Sequence, residues 1–382
     1  MGTLEESVVG IFTKHSLMLL KITGLWPMGR KHRRASAYLF RISILHFCLA
    51  LAAQVLSLIF DEEKSFESVV PTVLQTLMVI SMILKSIFIV NNRTEIRALH
   101  FFWDDEKGVR LAITRALPEI RKVYFAYALS LIASGSFWLT EPKVTDQKLV
   151  DAHPERSKLP LNGWYPFDLD SDLNFRLVYV HQLFSVMLIG TVSHGCNLLF
   201  LTFIIFVSNL LAFFIEKLEK VPQTENIEES VKDCAQLKIK IDRFTRDVGR
   251  IFSKVAFVQF AQSTMTFVIS SFRATAPGLS LKEKVLYMQG FYTQFIYLYL
   301  ICRYGGEIIH KSYEILKKIY FWPWEDWKQE EIDMMLMMSN ANQKPLKLTA
   351  GLYTLSLEFF LRACGLAITG YLLLQNIRNS KI

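Results

Sequence analysis

The stretch KPLKLTAGLYTLSLEFFLRACGLAITGYLLLQNI, Lys344 to Ile377, is long and apolar enough to cross a lipid bilayer. A bilayer core about 30 Å thick requires roughly 20 mostly apolar residues in a helix. Glu358 and Arg362 nevertheless lie inside this stretch, with the acid four residues before the base, which is the favourable order for a pair on one helix. We therefore expect a membrane-spanning helix that carries its own structural ion pair.

The remainder of the chain is similarly apolar. Hydrophobic residues make up 52% of the 382 residues and aromatic residues 13%, which is typical of a membrane protein and not of a soluble domain. Seven runs have the required length and composition: Tyr38–Phe60, Phe66–Val90, Tyr124–Leu139, Phe175–Phe214, Ile251–Phe272, Val285–Cys302 and Leu348–Gln375. The predicted fold class is therefore all-α, a membrane protein with seven transmembrane helices.

The distribution of basic residues predicts how these helices are oriented. Of the 43 Lys and Arg residues, 30 fall on the side of the membrane that holds the N-terminus and 11 on the opposite side. Because Lys and Arg accumulate on the cytoplasmic side, the N-terminus is predicted to be cytoplasmic and the C-terminus extracellular. Residues 1–25 lack the features of a signal peptide. The orientation is the inverse of that of G-protein-coupled receptors.

The same pattern divides the chain into segments. A stripe of apolar residues at steps of three and four begins at Ile227 and predicts a cytoplasmic helix, and Glu330–Met338 predicts another. These helices would form an anchor region below the membrane where subunits meet. The predicted segments are a cytoplasmic N-terminal segment (1–36), transmembrane helices 1 to 4 (37–214) with an external loop (139–174), a cytoplasmic helical segment (215–250), transmembrane helices 5 and 6 (251–303), cytoplasmic anchor helices (304–347), the last helix (348–377) and an external tail (378–382).

The sequence contains few motifs that indicate catalysis or cofactor binding. It contains no glycine-rich phosphate loop, no metal-binding histidine or cysteine motif and no nucleophile elbow, so we expect neither an enzyme nor a cofactor. The net charge of +8 follows from the basic cytoplasmic loops and does not indicate nucleic-acid binding. The remaining possible functions are sensing, transport and conduction. A secondary transporter normally shows internal repeats and broken helices, and neither is evident here.

Short motifs at several positions resemble one family. Pro345-Leu346, Leu348-Thr349-Ala350-Gly351 and Leu355-Ser356-Leu357-Glu358-Phe359 resemble the C-terminal signature of insect odorant receptors. Gly24-Leu25-Trp26-Pro27 and the external Trp164-Tyr165-Pro166-Phe167 match the family in order along the chain. The resemblance extends over the whole chain and includes the inverted topology.

This resemblance implies an odorant-sensing subunit of a heteromeric, ligand-gated, non-selective cation channel in the plasma membrane of the olfactory neuron dendrite. The implied partners are an odorant receptor co-receptor subunit, with which it forms a heterotetramer, the lipid bilayer, permeant cations and a small volatile organic ligand. The connection between the fourth and fifth helices is short, which resembles a tuning subunit and not the co-receptor. A gustatory-type channel, which conducts as a homomer, remains the alternative.

The resemblance also implies functional residues. The last helix would line a central pore, and Leu373, Asn376 and Ile377 lie on one face at the positions of the family's gate. The ligand would bind among the second, third, fourth and sixth helices in the external half of the membrane, in a mostly apolar pocket. The predicted pocket residues are Val73, Leu74, Leu77, Leu131, Ser134, Trp138, Tyr179, Leu183, Phe184, Met288, Phe291, Tyr292 and Phe295.

Overall fold

The computed structural model describes residues 10–27, 33–60, 66–103, 117–126, 159–169 and 171–380, with isolated positions between 109 and 132. These residues are mostly helical. The helices are α1 (Gly10–Ile22), α2 (Arg33–Phe60), α3 (Phe66–Asn91), α4 (Arg93–Phe101), α5 (Asp172–Lys220), α6 (Ile227–Ala274), α7 (Leu281–Tyr320), α8 (Gln329–Ala341) and α9 (Leu357–Ser380). A short antiparallel hairpin, β1 (Thr349–Ala350) and β2 (Tyr353–Thr354), precedes α9.

Five of the described helices are long and apolar enough to cross a membrane, namely α2, α3, α5, α6 and α9. The predicted run Val285–Cys302 lies in α7, whose 40 residues suffice in length but include polar residues such as Gln289 and Gln294. The run Tyr124–Leu139 lies mostly outside the described residues. α5 and α6 have 49 and 48 residues, so each extends well beyond one bilayer thickness.

Local sequence signals fix where the long helices begin. The Asn226 side chain accepts a hydrogen bond from the backbone N–H of Glu229 and caps α6. Ser280 and Glu283 form a reciprocal capping box at the start of α7. The predicted segment boundaries at 250/251 and 303/304 fall inside α6 and α7, because each helix continues unbroken from the membrane into the anchor region.

The core forms where α5 meets α1, α6 and α7. From Val192 to Leu211 most residues of α5 are buried, and Phe203 lies 5.4 Å from Phe252 of α6 between ring centroids. The stripe predicted on α6 is confirmed as a packing face, since it is buried from Val231 to Phe252. Apolar burial in this half of the molecule therefore extends through the region predicted to be cytoplasmic.

The N-terminal segment is fastened to the first half of α2 and to the start of α4. Gly24 has a φ of 74°, and a Cβ at this position would lie 2.4 Å from the backbone nitrogen of Phe40. Arg93 donates to the carbonyl oxygens of Gly24 at 2.7 Å and Leu25 at 2.5 Å. Burial lowers the pKa of the Arg93 guanidinium. The Gly-Leu-Trp-Pro motif is thus a turn that docks α1 against the bundle.

The last helix begins later than predicted. The sequence predicted a span from Leu348, but residues 349–354 form the hairpin, in which Gly351 has a φ of 60°. The prediction was wrong because apolar composition does not distinguish a helix from a short strand pair. The Gly351 N–H donates to the Ser253 side chain at 3.0 Å, which fixes the hairpin to α6. Glu358 and Arg362 therefore lie in the first two turns of α9, not at its middle.

Candidate ligand site and pore

The predicted pocket residues do not form a single contact group in the described part of the chain. Leu131, Ser134 and Trp138 lie outside the described residues. Val73, Leu77, Leu183 and Met288 are half-buried, while Phe184 and Tyr292 are 42% and 56% exposed. The remaining four, Leu74, Tyr179, Phe291 and Phe295, pack in three separate clusters.

An aromatic cluster on α7 connects the predicted pocket to the last helix. The ring centroids of Phe291 and Phe295 lie 5.1 Å and 6.1 Å from that of Phe267 on α6. Phe295 also lies 5.1 Å from Phe360 of α9 in an edge-on arrangement. Such pairs contribute about 0.5–1.5 kcal/mol each beyond simple burial. Phe295 is therefore in direct contact with both α6 and α9.

A second cluster joins α3, α6 and α9. Leu74 is 8% exposed and packs with Phe272, and the side chains of Tyr371 and Leu374 lie against the same cluster. Arg378, in the last turn of α9, lies over the Phe272 ring at 4.8 Å. One predicted pocket residue is thus joined to α9 through Phe272, within one turn of the predicted gate at Leu373.

The end of the external loop folds onto the outer end of the bundle and holds the third cluster. Gln182 of α5 accepts from the Leu161 N–H at 2.7 Å and donates to the Tyr165 hydroxyl at 2.9 Å. Asn162 donates to Thr72 of α3 at 2.9 Å. Burial raises the pKa of the Tyr165 phenol above its ordinary value. This loop covers the region between α3 and α5, where Tyr165 and Tyr179 both pack against the buried cluster of Leu159, Leu169 and Val178.

The last helix buries only a narrow face. Its buried residues are Phe359, Phe360, Ala363 and Ala367, which pack on α6 and α7. Of the predicted gate residues, Leu373 is 60% exposed, Asn376 is exposed and Ile377 is half-buried. Glu358 and Arg362 are joined by a hydrogen bond of 2.7 Å, as their spacing predicts, and both are exposed. Their pairing leaves neither charge isolated.

A family model for the 7tm odorant receptor matches residues 65–368. The chain belongs to the odorant receptor family. It is 20% identical to odorant receptor 46a, isoform A, of Drosophila melanogaster over 353 residues, covering 89% of this chain and 90% of that protein. It is 21% identical to the odorant receptor coreceptor of the same species over 149 residues, covering 37% of this chain and 28% of the coreceptor.

The fold is also that of a solved odorant receptor. The insect olfactory receptor OR5 from Machilis hrabei, in complex with eugenol, superposes with a TM-score of 0.82 at 15% identity, covering 96% of this chain and 98% of that one. A second structure of OR5 from Machilis hrabei gives a TM-score of 0.79 at 15% identity. These comparisons confirm the prediction of an all-α, multi-pass membrane protein of the odorant receptor family, which is a receptor family and not an enzyme family.

Sequence reasoning missed a polar cluster in the interior of this odorant receptor. Lys85 is fully buried and donates to Gln259 and Gln262 of α6. The signal was present in the sequence, because a lysine and two glutamines three residues apart all lie within apolar runs, where polar residues are costly. No group of three metal-ligating side chains was found among the described residues.

Proposed function

We propose that the chain is the odorant-sensing subunit of a heteromeric, ligand-gated, non-selective cation channel. The observation that carries the proposal is the exposure of α9. Leu361, Leu366, Ile368 and Leu373 of this helix are each 58–67% exposed in the single chain. A transmembrane helix with a narrow packed face and a broad unpacked one fits a position between subunits around a central pore.

The predicted gate lies at the outer end of that helix. Leu373, Asn376 and Ile377 project from one side, and Leu373 makes little contact with its own chain. Rings of apolar side chains from several subunits close a pore by excluding water, and an amide beside them eases hydrated cations through once the ring widens. We propose these three residues as the gate, on the predicted orientation with α9 ending outside.

The ligand is proposed to bind in the outer half of the bundle, between α3, α5 and α7. OR5, which has the same fold, has been solved with eugenol, and this supports a small organic ligand here. The contacts of Phe295 with Phe360 and of Leu74 with the cluster around Phe272 offer two routes from this region to α9. Binding would open the pore by stabilising the conformation in which these contacts are rearranged.

The second subunit type is proposed to be an odorant receptor co-receptor. Part of this chain is similar to a co-receptor, which supports a shared architecture and compatible surfaces. Only residues 221–226 separate α5 from α6, so the chain has no long insertion there, as expected for a tuning subunit. The exposed Tyr320, Phe321 and Trp324 at the end of α7 supply an apolar surface where the anchor regions of neighbouring subunits would meet.

The test is whole-cell recording from cells that express the chain alone, a co-receptor alone, or both. The panel contains volatile esters, alcohols, aldehydes and aromatics, including eugenol, and surface labelling measures assembly. Odour-evoked cation current that requires both chains and differs from the current of the co-receptor alone supports the proposal. Current from the chain alone supports the gustatory-type homomer instead. Absence of current from a surface-labelled complex contradicts the proposed function.

A further inference from the structure

The interior of the bundle holds a lysine that no carboxylate of the described residues neutralises. Lys85 of α3 is 0% exposed, and its Nζ donates to Oε1 of Gln259 and, at 3.1 Å, to Oε1 of Gln262. Ionisable side chains inside a membrane are rare and usually serve a function. We refer to the connected residues as the Lys85 cluster: Ser81, Lys85, Gln259, Gln262, Ser263 and Gln294.

Lys85 determines the direction of every hydrogen bond in this cluster. An ammonium group donates three hydrogen bonds and accepts none, so Gln259 and Gln262 must present their oxygens to it. The Nε2 of Gln259 is then the group that faces α7, where it donates to Gln294 Oε1 at 2.6 Å. Ser263 donates to the same oxygen at 3.1 Å. The orientation of three amides thus follows from one lysine.

In this cluster each amide oxygen accepts at least one hydrogen bond, and Gln259 donates from its Nε2 to both Ser263 and Gln294, whereas the Nε2 groups of Gln262 and Gln294 donate to no described residue. Gln262 Oε1 receives hydrogen bonds from both Lys85 and Ser81, the latter at 2.8 Å. Gln262 is only 4% exposed, and its Nε2 has no partner among the described residues. Gln294 likewise uses its Oε1 for both of its hydrogen bonds within the described part of the chain. Buried N–H groups without acceptors are costly, so an added acceptor would be favourable.

The cluster lies directly inward of the predicted pocket. Ser81 is four residues from Leu77 on α3, which corresponds to about 6 Å along the helix axis. Gln294 is three residues from Phe291 on α7 and adjacent to Phe295. A ligand held against these apolar side chains would therefore direct its inner end at the amides of Gln262 and Gln294.

We propose that the Lys85 cluster is a hydrogen-bond donor site that recognises the oxygen of a carbonyl-bearing ligand, such as a ketone, aldehyde or ester. This inference rests on the proposed function and specifies its ligand class. A ketone only accepts hydrogen bonds, so it suits the free N–H groups. An alcohol must also place its own O–H, for which the cluster has no free amide oxygen, and a hydrocarbon satisfies neither side. The expected order of potency is ketone, then alcohol, then hydrocarbon.

The test uses two sets of probes with matched carbon skeletons on the co-expressed complex. The first set is 2-heptanone, 2-heptanol and heptane, and the second is acetophenone, 1-phenylethanol and ethylbenzene. In the set that fits the pocket, we expect the ketone to be about three- to tenfold more potent than the alcohol, which is the range expected for one hydrogen bond. Equal potency within a set, or a more potent alcohol, overturns the inference and leaves the proposed function standing.

Substitutions then assign the effect to the cluster. Gln262→Met and Gln294→Met keep the side-chain length and remove the donors, so each should reduce the ketone preference by about three- to tenfold. Thr264→Val is the matched control, because the Thr264 hydroxyl is satisfied by the Phe260 carbonyl of its own helix at 3.0 Å. It should leave the preference unchanged.

Lys85 is a positioning residue, and its test is separate. Lys85→Met frees the glutamines to turn, so the ketone-to-alcohol ratio should approach one even where overall potency is retained. If this variant does not reach the cell surface, Ser81→Ala removes one of the two bonds to Gln262 and should lower the ratio in the same direction. An unchanged ratio in surface-expressed Gln262→Met, Gln294→Met and Ser81→Ala overturns the inference. If the wild-type complex responds to other odorants of the panel but to no carbonyl-bearing one, the inference is overturned and the proposed function stands, whereas silence to the whole panel contradicts both.

Discussion

At the scale of single residues, two neighbouring glycines of α7 have opposite environments. A Cβ on Gly305 would lie 2.6 Å from the backbone oxygen of Leu355 and 2.7 Å from its Cβ, so the chain that follows the hairpin packs directly on this glycine. Gly306 has no atom within 4 Å of the equivalent position. Gly305 thus sets how closely the start of α9 approaches α7.

We expect Gly305→Ala to prevent this close approach and Gly306→Ala to be tolerated. Overpacking a buried contact costs about 1–3 kcal/mol, and here the clash is with backbone that cannot rotate away. Alanine at position 306 should be neutral or stabilising, by up to about 1 kcal/mol from helix propensity. Both variants are compared by the thermal stability of the detergent-solubilised protein and by surface labelling of intact cells. Equal behaviour of the two would contradict the packing described here.

The ion pair on α9 gives a second prediction at this scale. Glu358→Gln leaves Arg362 without its partner on a surface that would face lipid or a neighbouring subunit. An unpaired charge at the middle of a membrane helix costs about 2.5–3.5 kcal/mol, and less in the first turns. Surface expression should therefore fall more in Glu358→Gln than in the double variant Glu358→Gln/Arg362→Gln. A double variant that is worse than either single one would assign the two residues separate roles.

At the scale of elements, the sequence predicts helices better than it predicts their contacts. The apolar runs and the buried stripe on α6 could be found because helical periodicity and composition are local properties. The hairpin at 349–354 could not, since the runs on both sides of Gly351 are as apolar as the helix that follows. The Lys85 cluster could not be assembled either, because Lys85 and Gln294 are distant in sequence and meet only through α6. Likewise, no local sequence pattern indicates that Phe295 of α7 contacts Phe360 of α9.

The contact between α7 and α9 can be tested as a coupling. Phe295→Ala and Phe360→Ala each remove one side of a ring pair whose centroids are 5.1 Å apart. If this pair transmits ligand binding, the shifts in half-maximal concentration should be non-additive by about 0.5–1.5 kcal/mol in a double-mutant cycle. Ile296→Ala, which changes the exposed neighbour of Phe295, is the control and should combine additively with Phe360→Ala. Additive shifts for the Phe295 and Phe360 pair would show that this ring contact does not transmit ligand binding.

At the scale of the whole molecule, the helices are packed unevenly. Its interior is well packed around α5, whereas the apolar residues of α9 lie largely uncovered. In a monomer within lipid, the leucine and isoleucine side chains of α9 could face the acyl chains without cost. It would be unfavourable for Asn376 and for the exposed pair of Glu358 and Arg362, which prefer water or a polar partner. An assembly around an aqueous axis accommodates both groups.

The exposure of α9 predicts which substitutions at the end of this helix change the closed channel. Leu373→Ala shortens the side chain at the proposed constriction, so water should enter more readily and basal current should rise in the absence of ligand. Leu372 is the matched control, because it is also a half-exposed leucine but lies about 100° around the helix from its neighbour. Leu372→Ala should leave basal current unchanged. Recordings at matched surface expression, with and without an agonist, compare the two. A rise caused by Leu372→Ala alone would place the pore on a different face of α9, and the gate would then have to be sought among the residues that share the face of Leu372.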